Sequence, residues 1–317
     1  MVYPVTPGAV HTHTHTHTHG FRKIVILESI VITKEGIEQL KNYCKELIIY
    51  NNTPENEAEY IKRIGDSDCI LVSYSAKITR KIIESSPNLK YIGMGCSLYD
   101  EKYSNVDIQA AKERGITVLP LKDYGDEGTI EYIVAELLNL LHGLKENKWK
   151  DKVYELNSLK IGIIGLGTIG GMTAKTLKYF GADIYYYSRT RKPNFEQENI
   201  KYCQLKEMLK TVDAVVLCVN RDSLIMTEEE FKDFGDGKIF INISLGECYN
   251  IQALDEWIKN KTNFYVCDNA SISERTKHII NNKNVIYNNL HAGHSKQTDI
   301  RATNQTIANI EKFLENK

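Results

Sequence analysis

Gly165-Leu166-Gly167-Thr168-Ile169-Gly170 is the stretch of this chain whose spacing most directly implies chemistry. It follows the apolar run Leu159-Lys160-Ile161-Gly162-Ile163-Ile164 and precedes a helical pattern, Gly171 to Phe180, that Gly181 closes. A strand, a glycine loop and a helix in that order suit a dinucleotide. Gly165 permits the tight turn, Gly167 lets backbone amides approach a pyrophosphate, and Gly170 lets the helix pack on the strand. The helix start at Thr168 and Ile169 then faces the phosphates. About 20 residues further on, an acidic side chain would accept hydrogen bonds from ribose hydroxyls. Ser188-Arg189-Thr190-Arg191-Lys192 stands there instead. A hydroxyl with three cations suits a phosphate monoester, so the loop predicts NADPH in preference to NADH; the alternative is a solvated basic loop.

Histidine is the other chemistry-bearing type, and its count of nine misleads. Five lie in the alternating run His11-Thr12-His13-Thr14-His15-Thr16-His17-Thr18-His19, so residues 1–20 read as an affinity tag. His142, His278, His291 and His294 remain. His291 and His294, three apart beside Gly293, are candidates for proton transfer, with a structural hydrogen-bonding role as the alternative for each.

The elements that must position these groups follow from pattern. At 317 residues, 42% hydrophobic and 26% charged, the chain suits two globular domains of about 150 residues each. A net charge of −1 gives neither nucleic acid nor an acidic membrane a basic footprint to grip, and no apolar run reaches spanning length. Seven scattered cysteines without CxxC indicate neither a disulfide framework nor a zinc site. A reducing cytoplasm is the expected compartment. Strands are predicted at residues 23–27, 68–73, 89–93 and 116–119, with helices over Lys34 to Lys45, Arg80 to Ser85 and Val106 to Arg114 between them. A long apolar helix, Thr129 to Lys145, leads to the second unit, whose further strands fall at 183–187, 214–219, 238–242, 264–267 and 285–287. A last helix spans Asp299 to Leu314. Alternation of this kind means α/β with parallel sheets.

The glycine loop with Ala174 to Gly181, Pro87-Asn88-Leu89-Lys90-Tyr91-Ile92-Gly93, Asn105 to Ile116 and Tyr124-Gly125 with Glu131-Tyr132 together resemble the D-isomer-specific 2-hydroxyacid dehydrogenase family. The resemblance implies two Rossmann-like domains, one flavodoxin-like and one dinucleotide-binding, with parallel sheets. The substrate domain would comprise 21–124 and 292–317, and an inserted cofactor domain 125–291 would carry the dimerisation helix of a homodimer. It implies hydride transfer between a nicotinamide and a small 2-oxo or 2-hydroxy acid. By the same resemblance, Gly95, Cys96, Ser97 and Leu98 fall in the loop Gly93 to Tyr99 that receives the substrate carboxylate. Lys77 matches a cleft lysine of the phosphoglycerate-dehydrogenase branch, with a solvated lysine at a helix start as the alternative, and Tyr99 is a further candidate donor or else a tyrosine packed at the domain seam.

The family's reacting residues are an Arg, a Glu and a His, and here the chain departs from it. Asn242-Ile243-Ser244-Leu245-Gly246 puts Leu245 at the arginine position, and Asn289-Leu290-His291-Ala292-Gly293 puts Leu290 at the histidine position. Cys267-Asp268-Asn269-Ala270-Ser271 puts Ser271, or another non-Glu residue, at the third. In an extended segment His291 would point away from the site, whereas in a loop it could serve. The expectation is an NAD(P)H-dependent reductase acting on a larger or uncharged carbonyl compound or an activated alkene. A catalytically silent dinucleotide sensor or interaction module, and an orthodox 2-hydroxyacid dehydrogenase with a distant Arg and His, are the alternatives.

Overall fold

The computed structural model describes residues 10–12, 20–98 and 100–316. The candidate donor Tyr99, and most of the histidine-threonine run, lie outside them. The chain divides into two compact units, 1–124 with 296–317, and 125–295. The second boundary thus falls at Ser295 rather than at residue 291.

The first unit opens with Val10–Thr12 (β1), Phe21–Ile26 (β2), Lys34–Leu40 (α1) and Cys44–Ile49 (β3). Glu57–Ile64 (α2), Cys69–Val72 (β4), Arg80–Glu84 (α3), Tyr91–Ser97 (β5), Ile108–Glu113 (α4) and Thr117–Leu121 (β6) follow. Their sheet order is β1-β3-β2-β4-β5-β6. From β3 to β6 the pairing is parallel, in the flavodoxin-like order, while β1 lies antiparallel on the edge of β3. An open edge presents unpaired backbone groups that accept such an added strand.

Two expectations fail here. The helix expected over Lys34 to Lys45 stops at Leu40, and after one 3-10 turn Cys44 belongs to β3 instead. Leu47 and Ile49 alternate inward there, a period of two that overrides the preceding helical spacing. The stretch Gly93 to Leu98, expected as a loop, is strand through Ser97. Met94 and Cys96 are buried while Gly95 and Ser97 are less so, and a register shift between Gly93 and Ser97 interrupts the pairing with β6.

The second unit begins with Asp126–His142 (α5), a turn earlier than its pattern suggested, and Gly143 in left-handed conformation closes it. Lys160–Ile164 (β7), Thr168–Tyr179 (α6), Asp183–Tyr187 (β8), Pro193–Gln197 (α7), Lys201–Tyr202 (β9), Leu205–Thr211 (α8) and Ala214–Leu217 (β10) come next. Glu228–Phe234 (α9), Ile239–Asn242 (β11), Ile251–Ile258 (α10), Phe264–Asp268 (β12) and Val285–Asn288 (β13) complete it. The order β13-β12-β11-β10-β7-β8-β9 is parallel throughout, a doubly wound sheet. One face packs on α5 and α6 through Ile133, Leu137, Ala174 and Leu177; the other packs on Met208, Phe231, Phe234 and Trp257.

The chain then returns to the first unit as Lys296–Glu315 (α11). Ile307 and Ile310 enter the core of the first sheet, and the Phe313 ring stacks on Phe21 at 5.5 Å. No helix among the described residues is long and apolar enough to cross a membrane.

Candidate functional site

Every strand of the second sheet points the same way, so the loops after β7, β10, β11, β12 and β13 leave one edge. In an open α/β sheet that carboxyl edge is where ligands bind. After β7, Gly165 has φ +91°, and any side-chain carbon there would strike the carbonyl oxygen of Cys218 just past β10. A carbon at Gly170 would strike the carbonyl oxygen of Gly165, which is how closely α6 is seated on its strand. Gly167 faces open space and is the N-cap of α6, where it supplies no side-chain acceptor to the first amides. Uncapped amides at the positive end of a helix, opening on space, are a cradle for a phosphate.

At the end of β8 the basic loop divides its cations. The Arg191 guanidinium pairs with Glu196 and lies 4.4 Å over the Tyr202 ring. The hydrogen bond with Glu196 raises the Arg191 pKa, and the same bond lowers that of Glu196. Tyr186 donates its hydroxyl to the same carboxylate at 2.9 Å. Arg189 is exposed with no ion pair among the described residues, and the Ser188 hydroxyl donates to the Thr190 carbonyl. Of the two arginines singled out from sequence, Arg191 is thus engaged within the loop, while Arg189 stands exposed.

The end of β12 carries an acid that sequence reasoning passed over. Asp268 is 3% exposed, and its carboxylate accepts from the amides of Ala270 at 3.2 Å and Ala292 at 2.7 Å. The second bond fixes the turn after β13, in which His291 Nδ1 accepts from the Gly293 amide at 3.2 Å. His291 is thus in a turn, not an extended strand, and its Nδ1 is an acceptor, so the neutral ring carries its proton on Nε2. Burial lowers the His291 pKa below 6.5; the charge of Asp268 pulls it back up, and His294 pushes it down. His294 itself is exposed.

The positions that depart from the family pattern have their own places. Leu290 is 48% exposed, and its carbonyl accepts from the Asn269 amide at 3.0 Å. Ser271 is buried and donates to the Ser244 carbonyl at 2.8 Å, so it ties the loop after β12 to the turn after β11. Leu245, half-buried in that turn, gives its carbonyl to the Asp222 amide at 3.1 Å.

In the first unit, Lys77 stands exposed on the loop after β4, and the loop is held from within. Glu28, 1% exposed at the end of β2, accepts from the amides of Ser73 and Ala76 at 2.8 Å each and from the Thr53 hydroxyl at 2.7 Å. Asn105 donates to the carbonyls of the same two residues at 2.7 Å. The Tyr60 hydroxyl accepts from the Lys77 amide at 3.0 Å. Neither Glu28 nor Asn105 stands out in sequence as chemistry-bearing; an acid directly after the apolar run of β2 was the available signal for the first.

A model of the D-isomer specific 2-hydroxyacid dehydrogenase NAD binding domain matches residues 132–288. A glyoxylate reductase of Pyrococcus horikoshii is 30% identical over 256 residues, spanning 73% of this chain and 75% of that protein. The chain belongs to the D-isomer-specific 2-hydroxyacid dehydrogenase family. A hydroxypyruvate reductase of Blautia hydrogenotrophica is 29% identical over 249 residues, 71% of this chain and 74% of that one. Among solved structures, an acyclic imino acid reductase in complex with NADPH and D-Arg has a TM-score of 0.79 at 22% identity, covering 93% and 98% of the two chains. D-lactate dehydrogenase from Aquifex aeolicus, complexed with NAD and lactic acid, has a TM-score of 0.76 at 21% identity, covering 93% and 96%. These two share its fold.

This dehydrogenase is an NAD(P)-dependent oxidoreductase. Its phosphate cradle, Leu245, Asp268 and the His291 turn all lie on the carboxyl edge of the second sheet.

Proposed function

We propose that this dehydrogenase uses NADPH to reduce a carbonyl compound or activated alkene outside the standard 2-oxo acids, with His291 as the proton donor. The observation that carries the reading is the Ala292 to Asp268 hydrogen bond, which sets His291 in a fixed turn beside a buried carboxylate. Gly165, Gly167, Thr168, Ile169 and Gly170 would hold the pyrophosphate, and Ser188 with Arg189 the 2′-phosphate; Thr190 and Arg191 shape that loop. A reduced nicotinamide held there would supply a hydride to the substrate carbon. His291 would give its proton to the substrate oxygen, so that a C=O would become CH–OH. Asp268 keeps a charge beside the ring that favours the protonated donor. His294, exposed three residues on, adjusts that charge and is the weaker candidate. Gly95, Cys96, Ser97 and Leu98 at the end of β5, and Lys77 on its clamped loop, are the first unit's candidates for substrate contact.

A homodimer formed through the cofactor unit and a cytoplasmic location belong to the same reading. Exposed Leu144 and Tyr154, in the segment after α5, support the former.

The test is oxidation of NADPH against a panel of 2-oxo acids, imines, larger ketones and enones. The expected result is turnover on at least one class outside the short 2-oxo acids. Turnover confined to glyoxylate and hydroxypyruvate overturns the altered substrate class, and tight NADPH binding without turnover on any compound overturns catalysis.

A further inference from the structure

Strand β5 of the first unit turns a different row of residues to each side. Ile92, Met94 and Cys96 enter the core beside α3 and α4, whereas Tyr91 packs with Leu71 and with Ile307 and Ile310 of α11. Alternation puts Gly93 and Gly95 in the Tyr91 row. No side chain fits at either glycine. A carbon at Gly93 would lie 2.5 Å from Leu71 Cδ2, and one at Gly95 would lie 2.9 Å from the Val72 carbonyl oxygen. The row under α11 is therefore one tyrosine followed by two bare backbone positions. A cavity with room for one water molecule lies there, walled by Leu71, Leu119 and Leu121.

Polar side chains line the same cavity. Tyr91 is 1% exposed, and its hydroxyl lies 3.7 Å from where a carbon at Gly93 would stand. That hydroxyl has no hydrogen-bond partner among the described residues. Thr306 of α11 is buried, and its hydroxyl likewise has none, although Thr303 one turn earlier bonds back to the Asp299 carbonyl at 2.7 Å. Asn309 donates its side-chain amide to the Pro120 carbonyl at 3.0 Å, which holds α11 against β6 beside the cavity. Two buried hydroxyls without partners are costly, and native interiors supply a partner to such groups.

The pairing of β5 with β6 breaks at this place. Gly93 pairs with Leu119 and Ser97 with Leu121, so four steps along β5 match two along β6. The surplus residues of such an irregularity leave backbone groups outside the ladder. Met94 and Gly95 fall in that interval and line the cavity.

We propose that this cavity is a binding site for one water molecule, held by the hydroxyls of Tyr91 and Thr306 and by the unpaired backbone of β5 after Gly93. A water brings two donors and two acceptor positions, which suits two hydroxyls and an interrupted ladder. The leucine walls exclude an ion, whose charge they could not solvate. The bound water joins α11 to β5 and stands behind Gly95, at the strand end that carries the first unit's candidates for substrate contact. It belongs to the first unit alone and is independent of cofactor and reaction.

Tyr91→Phe and Thr306→Val each remove one hydroxyl while keeping the ring and the branched shape. Each is expected to lower the urea unfolding midpoint by roughly 0.3–1 M. The double variant is expected to lose less than the sum, because both changes release the same water. An unfilled cavity gives the opposite sign, since replacing an unpaired buried hydroxyl by an apolar group stabilises. Water magnetic relaxation dispersion counts the molecules that stay inside for longer than the protein tumbles, and the double variant is expected to hold one fewer than wild type. Raised or unchanged midpoints overturn the proposal. Lowered midpoints with an unchanged number of internal waters overturn it too, and mean that the two hydroxyls find partners within the protein. If the double variant does not fold, Thr306→Val alone is compared with wild type by the same count.

Discussion

The Ala292 amide and the buried carboxylate of Asp268 are 2.7 Å apart, and this one bond joins the turn after the last strand of the cofactor sheet to the end of its neighbour. It makes Asp268 both a backbone anchor and a charge that raises the His291 pKa. Removing the charge and removing the anchor are therefore separable.

Asp268→Asn keeps an acceptor for Ala292 and removes the charge. Burial already holds the His291 pKa below 6.5, and the Asp268 charge opposes that. Without it the pKa falls further. Reduction needs the protonated ring, so activity is greatest below this pKa and is lost as pH rises through it. The limb of the pH–rate profile should move to lower pH in Asp268→Asn and to higher pH in His294→Gln, since His294 lowers the same pKa. Profiles of kcat/KM measured from pH 4.5 to about 8 check both signs. Limbs that coincide in all three proteins would remove His291 from the proton step.

The glycines of the cradle should split by phenotype. Gly165→Ala places a carbon against the Cys218 carbonyl at a left-handed φ of +91°. Its cost should be on the order of 2–4 kcal/mol in urea unfolding. Gly167→Ala meets nothing within 4 Å, so its unfolding midpoint should match wild type. The added methyl instead stands where a phosphate would approach, and NADPH affinity should drop on the order of tenfold. Equal NADPH affinity in Gly167→Ala and wild type would place the dinucleotide elsewhere.

Arg189→Gln should weaken NADPH about tenfold or more while leaving NADH unchanged, the signature of a contact to the 2′-phosphate. Arg191→Gln should have the smaller effect, because Glu196 and Tyr202 already occupy that guanidinium. Binding titrations with both cofactors decide this, and equal losses for NADPH and NADH in Arg189→Gln would contradict it.

Glu28→Ala leaves the amides of Ser73 and Ala76 and the Thr53 hydroxyl without their acceptor inside the first unit. Unfolding should become easier by on the order of 3 kcal/mol. NADPH affinity, a property of the second unit, should be unchanged. Thermal unfolding and cofactor titration on the same samples separate the two effects.

Much of this was legible in the sequence because it was local. The strands of the second sheet are short apolar runs, and its glycine loop names its neighbours. What escaped was set by distance along the chain. Cys44–Ile49 hides behind a helical spacing that ends at Leu40, and only pairing with β2 makes it a strand. Gly95 and Cys96 read as loop because glycines dominate there, yet β5 runs on through them from Met94, the last residue paired with β4, to Ser97, which pairs with β6 after the register shift. Asp268 meets Ala292 across 24 residues, and the Asp222 amide reaches the Leu245 carbonyl more than 20 residues later. No spacing rule within one segment reports such pairs. The conversion of His291 from a misdirected strand residue to a turn residue follows from the same long-range bond.

The return of α11 sets an order of events. Thr303 accepts from the Thr33 amide, Gln305 exchanges two bonds with Lys122, and Ile310 is fully buried in the first core. The half of the protein made first is therefore finished last. During synthesis the cofactor unit has all of its strands while Phe21 and Tyr91 still wait for Phe313. A ribosome stalled before residue 296 would display a complete second unit beside an incomplete first one, whose uncovered aromatic face is what a chaperone would find.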